Sequence, residues 1–123
     1  MRFYPLGSDG EYNKTRLSAE FQAAKKWGKL FLGEEHLFFR AGWFRIGTIP
    51  YSAVSRCFRR VQLIPIKLRG SQREIRVENL VVCGEAGELA QIQLPGAEAA
   101  KNVMSELEQK IPHAEFGKPA EDE

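Results

Sequence analysis

Two cysteines and two histidines in 123 residues leave this chain little material for metal or thiol chemistry. Cys57 and Cys83 lack CxxC spacing, so they form neither a disulfide framework nor a metal knuckle, and buried free thiols are expected. His36 follows Glu34 and Glu35, and His113 falls in the loop after the last helix; neither has a serine or cysteine in a nucleophile-base pattern. Adjacent strand residues point to opposite faces, so Glu34, Glu35 and His36 cannot close a ligand shell together. No catalytic residue, metal or cofactor is expected. Gly84-Glu85-Ala86-Gly87 precedes a strand pattern instead of a helix, which excludes a phosphate-binding loop. No apolar run approaches the roughly 18 residues of a membrane span, and Met1-Arg2 is not followed by an apolar signal region. A cytoplasmic protein is expected.

What the chain does have is strand alternation followed by one amphipathic helix. Pro95-Gly96 breaks the preceding strand, and Ala100, Val103, Met104, Leu107 and Ile111 then share one helical stripe, predicting a helix over Ala97 to Ile111. Glu106 and Lys110 are four apart in the favourable order, and Pro112 ends the helix. Lys29 to Leu32 and His36 to Arg40 form a predicted hairpin around Gly33-Glu34-Glu35, and Ala41-Gly42 turns into a strand from Trp43 to Ile49. In that strand Phe44, Ile46 and Thr48 are expected on the buried face, with Trp43, Arg45 and Gly47 opposite. Val54 to Leu63 is the next strand, broken at Ile64-Pro65. Arg73 to Glu78 alternates with Ile75 and Val77 on one face, Leu80 to Cys83 continues it, and Leu89 to Leu94 completes six or seven strands.

Three regions follow. Residues 1–26 form an N-terminal arm, with a Ser8-Asp9-Gly10 turn and a short helix carrying Leu17, Phe21 and Ala24, capped by Thr15 or Ser18. Phe3, Tyr4 and Leu6 are positioned to pack back on the sheet. Residues 27–112 form the domain, and 113–123 read as a disordered acidic tail. The expected fold is α+β, mainly β: a strongly bent antiparallel sheet or partly open barrel of about seven strands, capped by the C-terminal helix.

This pattern resembles the pleckstrin-homology-like superfamily, including its GRAM and small bacterial members. The resemblance rests on Trp27-Gly28-Lys29-Leu30-Phe31-Leu32 opening the sheet, Ile49-Pro50-Tyr51-Ser52-Ala53-Val54 before the fourth strand, and the strand-helix unit Leu89 to Ile111. It implies a non-catalytic binding or adaptor module. Many such domains hold phosphoinositides through basic residues on the first two strands and their loop. The loop expected in that place, Gly33-Glu34-Glu35, carries carboxylates instead, leaving Lys29 and Arg40 nearby.

Charge supplies the candidate surface. Residues 36 to 76 carry nine arginines and lysines against the single acid Glu74, whereas residues 77 to 123 carry three bases and ten acids. Arg56, Arg59, Arg60, Lys67, Arg69, Arg73 and Arg76 form the candidate anionic-ligand surface, with Trp43 and Phe58 as candidate apolar contacts. The expected partner is an anionic lipid surface or a protein. A nucleic-acid reading, with bases stacked on Tyr51 and Phe58, weighs less because the helix and tail are acidic. A self-associating protein, joined through Trp43 and Phe38 or through an unpaired strand edge, is a further reading.

Overall fold

The computed structural model describes residues 2–7 and 13–117, so the Ser8-Asp9-Gly10 turn and the last six residues lie outside the described part. The chain opens with strand β1 (Arg2–Pro5) and helix α1 (Lys14–Ala23). Asn13, not Thr15 or Ser18, caps α1: its side chain accepts the Arg16 backbone N–H at 3.1 Å. Strands β2 (Lys25–Trp27), β3 (Leu30–Leu32), β4 (His36–Arg40) and β5 (Arg45–Pro50) then run as an antiparallel meander. β1 adds to β5 in parallel, giving a five-stranded sheet in the order β1-β5-β4-β3-β2.

A 3-10 turn at Tyr51–Ala53 leads into β6 (Arg56–Leu68), β7 (Ser71–Gly84) and β8 (Gly87–Leu94). Helix α2 (Ala97–Lys110) follows, and strand β9 (Glu115–Phe116) pairs in parallel with the start of β6. The second sheet has the order β8-β7-β6-β9. The fold is therefore mainly β with two helices. It contains two mixed sheets, not one bent antiparallel sheet or a closed barrel, because short strands from either end of the chain add in parallel to β5 and β6. Part of the expected disordered tail is thereby ordered.

The main core lies between the sheets and is closed by α2. Ala100, Val103, Leu107 and Ile111 from the predicted stripe meet Leu30, Leu37 and Ile49 of the first sheet and Leu80, Val82, Ile92 and Leu94 of the second. A second core fills the other face of the first sheet, where Leu17 and Phe21 of α1 pack on Phe3, Phe31, Phe38 and Ile46. Phe21 and Phe38 meet edge to face with ring centroids 5.4 Å apart. With both faces covered, β5 is buried continuously from Ile46 to Ile49, and the expected one-sided alternation fails there. Phe38 is fully buried, which removes it as an outward contact.

The largest departure from expectation is the β6-β7 hairpin. β6 does not break at Ile64-Pro65; it pairs with β7 through thirteen consecutive positions, from Arg56↔Cys83 to Leu68↔Ser71. Arg69 and Gly70 both have positive φ, 49° and 84°, as a two-residue turn matched to strand twist requires. β8 covers β7 only from Glu78 onward. The outer half of the hairpin thus extends past the body as a two-stranded arm, and Ile75, on the apolar side of the alternation, is 45% exposed.

Candidate binding surface

Three of the seven basic candidates are engaged inside the molecule. The Arg56 guanidinium pairs with Glu115 and donates to the Gly117 carbonyl oxygen at 2.9 Å. Arg59 grips Glu78 with two hydrogen bonds, Nη2 to Oε1 at 2.8 Å and Nε to Oε2 at 3.2 Å, and the Glu78 side chain is only 2% exposed. Arg60 donates to Glu88 at 3.1 Å and Gln91 at 2.7 Å, while its guanidinium lies over the Phe58 ring. Phe58 is 2% exposed, so it is a core residue and not an apolar contact. The basic segment and the acidic segment, separated in sequence, meet within the second sheet, β6 pairing its arginines with acids of β7, β8 and β9.

Lys67, Arg69, Arg73 and Arg76 lie on the arm. Of these, Arg76 approaches Glu78 at 3.5 Å, and the other three make no ion pair among the described residues. They are interleaved with exposed Leu63, Ile64, Leu68 and Ile75.

Trp43 is exposed as expected, and more so than strand pairing would allow. β5 begins only at Arg45, so Trp43 and Phe44 both stand on the β4-β5 turn, 91% and 70% exposed, with ring centroids 6.5 Å apart. The Arg2 backbone N–H donates to the Phe44 carbonyl at 2.8 Å, the Lys29 carbonyl accepts from Arg40 N–H at 3.0 Å at the start of the turn, and Arg45 follows it in the chain. Arg45 stacks on Tyr4, and Arg40 and Lys26 lie against Phe31. None of these five cations makes an ion pair among the described residues. Sequence patterning missed this cluster because its members come from β1, the β2-β3 turn and both sides of the β4-β5 turn.

The β2-β3 turn, which neighbours the Trp43-Phe44 turn, meets the end of β8 at the base of the arm. A Cβ built on Gly28 would lie 3.2 Å from Pro95, and Pro95 follows Leu94, which pairs with Glu78 at the base of the arm. Every large hydrophobic side chain found exposed among the described residues lies on one of two elements: Trp43 and Phe44 on the turn, and Val61, Leu63, Ile64, Leu68 and Ile75 on the hairpin.

A cleft of mixed charge lies between α1 and the β3-β4 turn, lined by Glu20, Glu34, Glu35 and Glu106 together with Arg16, Lys25, His36 and Lys110. His36 is paired not with neighbouring Glu35 but with Glu20 of α1, Nδ1 to Oε1 at 2.8 Å. The other Glu20 oxygen accepts the Glu35 and His36 backbone N–H groups at 2.8 and 2.7 Å. Gly33 admits this carboxylate; a Cβ there would lie 2.4 Å from Glu20 Oε2. The Tyr51 hydroxyl donates to the Gly33 carbonyl at 2.6 Å, and burial, with the Glu20 charge, holds that phenol well above its ordinary range. Both Glu20 oxygens are therefore committed to holding a turn. Glu106 pairs with Lys25 at 2.6 Å, and this hydrogen bond holds the carboxyl below its ordinary range. Among the described residues no three metal-ligating side chains cluster.

His113 Nε2 lies 3.1 Å from both the Tyr51 and Val54 carbonyl oxygens, which fixes that nitrogen as the protonated one. Burial pushes the Cys57 thiol up to about 12, with Cys83 adding to the shift. A thiol so placed is not a nucleophile at neutral pH. Among the described residues no helix is long and apolar enough to cross a membrane.

No family model, curated protein or solved structure matches the chain.

Proposed function

We propose that this chain is a non-catalytic binding module of pleckstrin-homology-like type that docks peripherally on an anionic membrane surface. The observation that carries the reading is the Trp43-Phe44 turn, two exposed aromatic rings on a turn flanked by Arg40 and Arg45 and bonded through its backbone to Arg2, with no carboxylate paired to these cations among the described residues. Tryptophan settles at the headgroup level of a bilayer, phenylalanine buries at the acyl boundary below it, and each nearby cation adds about 1 kcal/mol of attraction to an anionic leaflet. An exposed aromatic pair with no such partner is otherwise a solubility liability.

The architecture supports the family part of the proposal: a four-stranded meander β2 to β5, a three-stranded antiparallel unit β6 to β8, and α2 closing the core between them. The meander also begins one strand earlier than the sequence suggested, at Lys25. Its first turn is Gly28-Lys29, so the carboxylates of Glu34 and Glu35 belong to the next turn, and a cation occupies the place where the resemblance asks for one.

Sedimentation with neutral and with phosphatidylserine-containing vesicles, at low and physiological salt, tests the proposal. The protein is expected to pellet with anionic vesicles only, less so as salt rises. Trp43→Ala with Phe44→Ala, and separately Arg40→Glu with Arg45→Glu, are expected to abolish pelleting. No pelleting of the wild type, or undiminished pelleting of these variants, sinks the proposal. Equal competition by a short oligonucleotide would show a surface that reads charge alone.

A further inference from the structure

The arm calls for a different partner from the turn. A two-stranded ribbon has two open edges, and in hydrocarbon its outward N–H and C=O groups would go unpaired, so a bilayer cannot cover it. What covers it must supply both apolar side chains and backbone hydrogen bonds, and that is another strand.

Only one of the two edges is available. The Glu115 and Gly117 N–H groups of the β9 segment donate to the Ser55 and Cys57 carbonyls, so odd-numbered residues of β6 turn their backbone groups away from β7. Thirteen pairs in unbroken register carry this parity to Pro65. The missing Pro65 N–H therefore lies on the outer edge, where it leaves the β6-β7 ladder whole and blocks a strand from adding to β6. On β7 the outward set is the even one. Glu78 is taken by Leu94 of β8, which leaves Gln72, Glu74 and Arg76 with outward backbone groups and no neighbouring strand among the described residues.

We infer that this edge of β7 joins two copies of the chain in an antiparallel, two-fold symmetric dimer centred on Ile75. In that register Ile75 faces Ile75 of the second copy, and Glu74 of each copy faces Arg76 of the other. Residues opposite one another in an antiparallel pair share a face, so both charge pairs fall on one side of the new sheet. On the other side Ile64, which pairs with Ile75 within the chain, completes a row of four isoleucines across the strands β6-β7-β7-β6. Shifting the centre by one residue toward the tip sets Glu74 against Glu74, and by two residues sets Arg73 against Arg73. The register with complementary charge is thus also the one with the apolar row. The ladder spans Arg73 to Val77 and stops where β8 of the second copy covers Glu78. Beyond it the Leu68 to Gln72 tip must clear the end of β8 of the second copy, which the strong twist of a two-stranded ribbon allows. Pairing converts a marginal two-stranded arm into a four-stranded sheet with an apolar face.

Sedimentation velocity of the full chain without lipid, from about 1 to 500 µM, tests the inference over the range expected of so small an interface. A reversible monomer-dimer equilibrium is expected. Glu74→Arg and Arg76→Glu each set like charges opposite one another twice per dimer and are expected to weaken it about tenfold or more. The combined Glu74→Arg/Arg76→Glu chain restores opposite charges and is expected to dimerise within about threefold of the wild type. Glu74→Pro removes only an outward N–H, as Pro65 does, and is expected to give a monomer with unchanged circular dichroism and melting. A wild type that stays monomeric, a double exchange no tighter than the single variants, or a dimer that survives Glu74→Pro overturns the inference. None of these outcomes bears on vesicle binding through Trp43 and Phe44.

Discussion

Arg59 and Glu78 sit opposite neighbouring positions of the β6-β7 ladder and share two hydrogen bonds at the base of the arm, where the carboxylate is almost wholly removed from water. Arg76 approaches the same carboxylate at 3.5 Å from the exposed side. A buried charge of this kind is tolerated only while its partner stays in place. Arg59 therefore serves the fold and is not offered to a ligand.

Arg59→Met is expected to destabilise the chain by about 3–5 kcal/mol, because it leaves the Glu78 carboxylate buried with one distant cation. Urea denaturation followed by circular dichroism measures this. A loss below about 1 kcal/mol would mean that the pair is not the anchor of the arm.

The clip between α1 and the β3-β4 turn depends on one side chain. Glu20→Ala removes the acceptor of two backbone N–H groups and of His36, and the expected cost is about 3 kcal/mol or more, since bonds to a carboxylate exceed neutral ones. Glu20→Gln keeps an acceptor oxygen and should lose less. Equal losses in the two variants would argue that shape, not hydrogen bonding, holds the turn.

Thr48 presents the reverse situation. Its residue is 4% exposed and its hydroxyl oxygen has no hydrogen-bond partner among the described residues. Thr48→Val replaces that hydroxyl by a methyl of similar size and is expected to raise stability by about 1 kcal/mol. A fall in the urea midpoint instead would show that the hydroxyl is satisfied.

The Cys57 thiol is held protonated by burial up to about 12, whereas the same thiol in the unfolded chain ionises near 9. The folded state thus keeps a proton that the unfolded state has lost. This contribution is fully present below about pH 9 and falls as pH rises toward 12, by about 1.4 kcal/mol per unit. Comparing wild type with Cys57→Ala over that range cancels the lysine and tyrosine titrations common to both. Parallel stability curves for the two chains would refute the shift.

Trp43→Ala and Phe44→Ala are expected to leave stability within about 0.5 kcal/mol of wild type, since neither ring is part of either core. In a Trp27→Phe background the remaining Trp43 should emit like a tryptophan in water and shift to the blue on anionic vesicles. A blue emission maximum without vesicles would place the ring in a packed environment.

Local signals in the chain settled more of the architecture than of the binding surface. α2 was legible residue by residue, because a five-residue apolar stripe bounded by Pro95-Gly96 and Pro112 admits one reading, and all of Ala100, Val103, Leu107 and Ile111 are fully buried. In β8 Ile92 and Leu94, which alternate with Gln91 and Gln93 in the sequence, are both buried. Pro65 misled, since its sequence context does not say which edge of a strand its nitrogen faces.

Alternation also states which side chains share a face and never whether anything covers that face. Ile75 and Glu78 are the instance: the body ends between them, leaving the isoleucine outside and burying the carboxylate beside Arg59. The fate of the basic candidates was likewise decided in three dimensions. Arg56, Arg59 and Arg60 found Glu115, Glu78 and Glu88, partners 59, 19 and 28 residues away, while Lys67, Arg69 and Arg73 extended past the last strand that could neutralise them. Short-range chemistry determined the elements, and contacts between residues distant in the chain determined which charges and rings remain facing solvent.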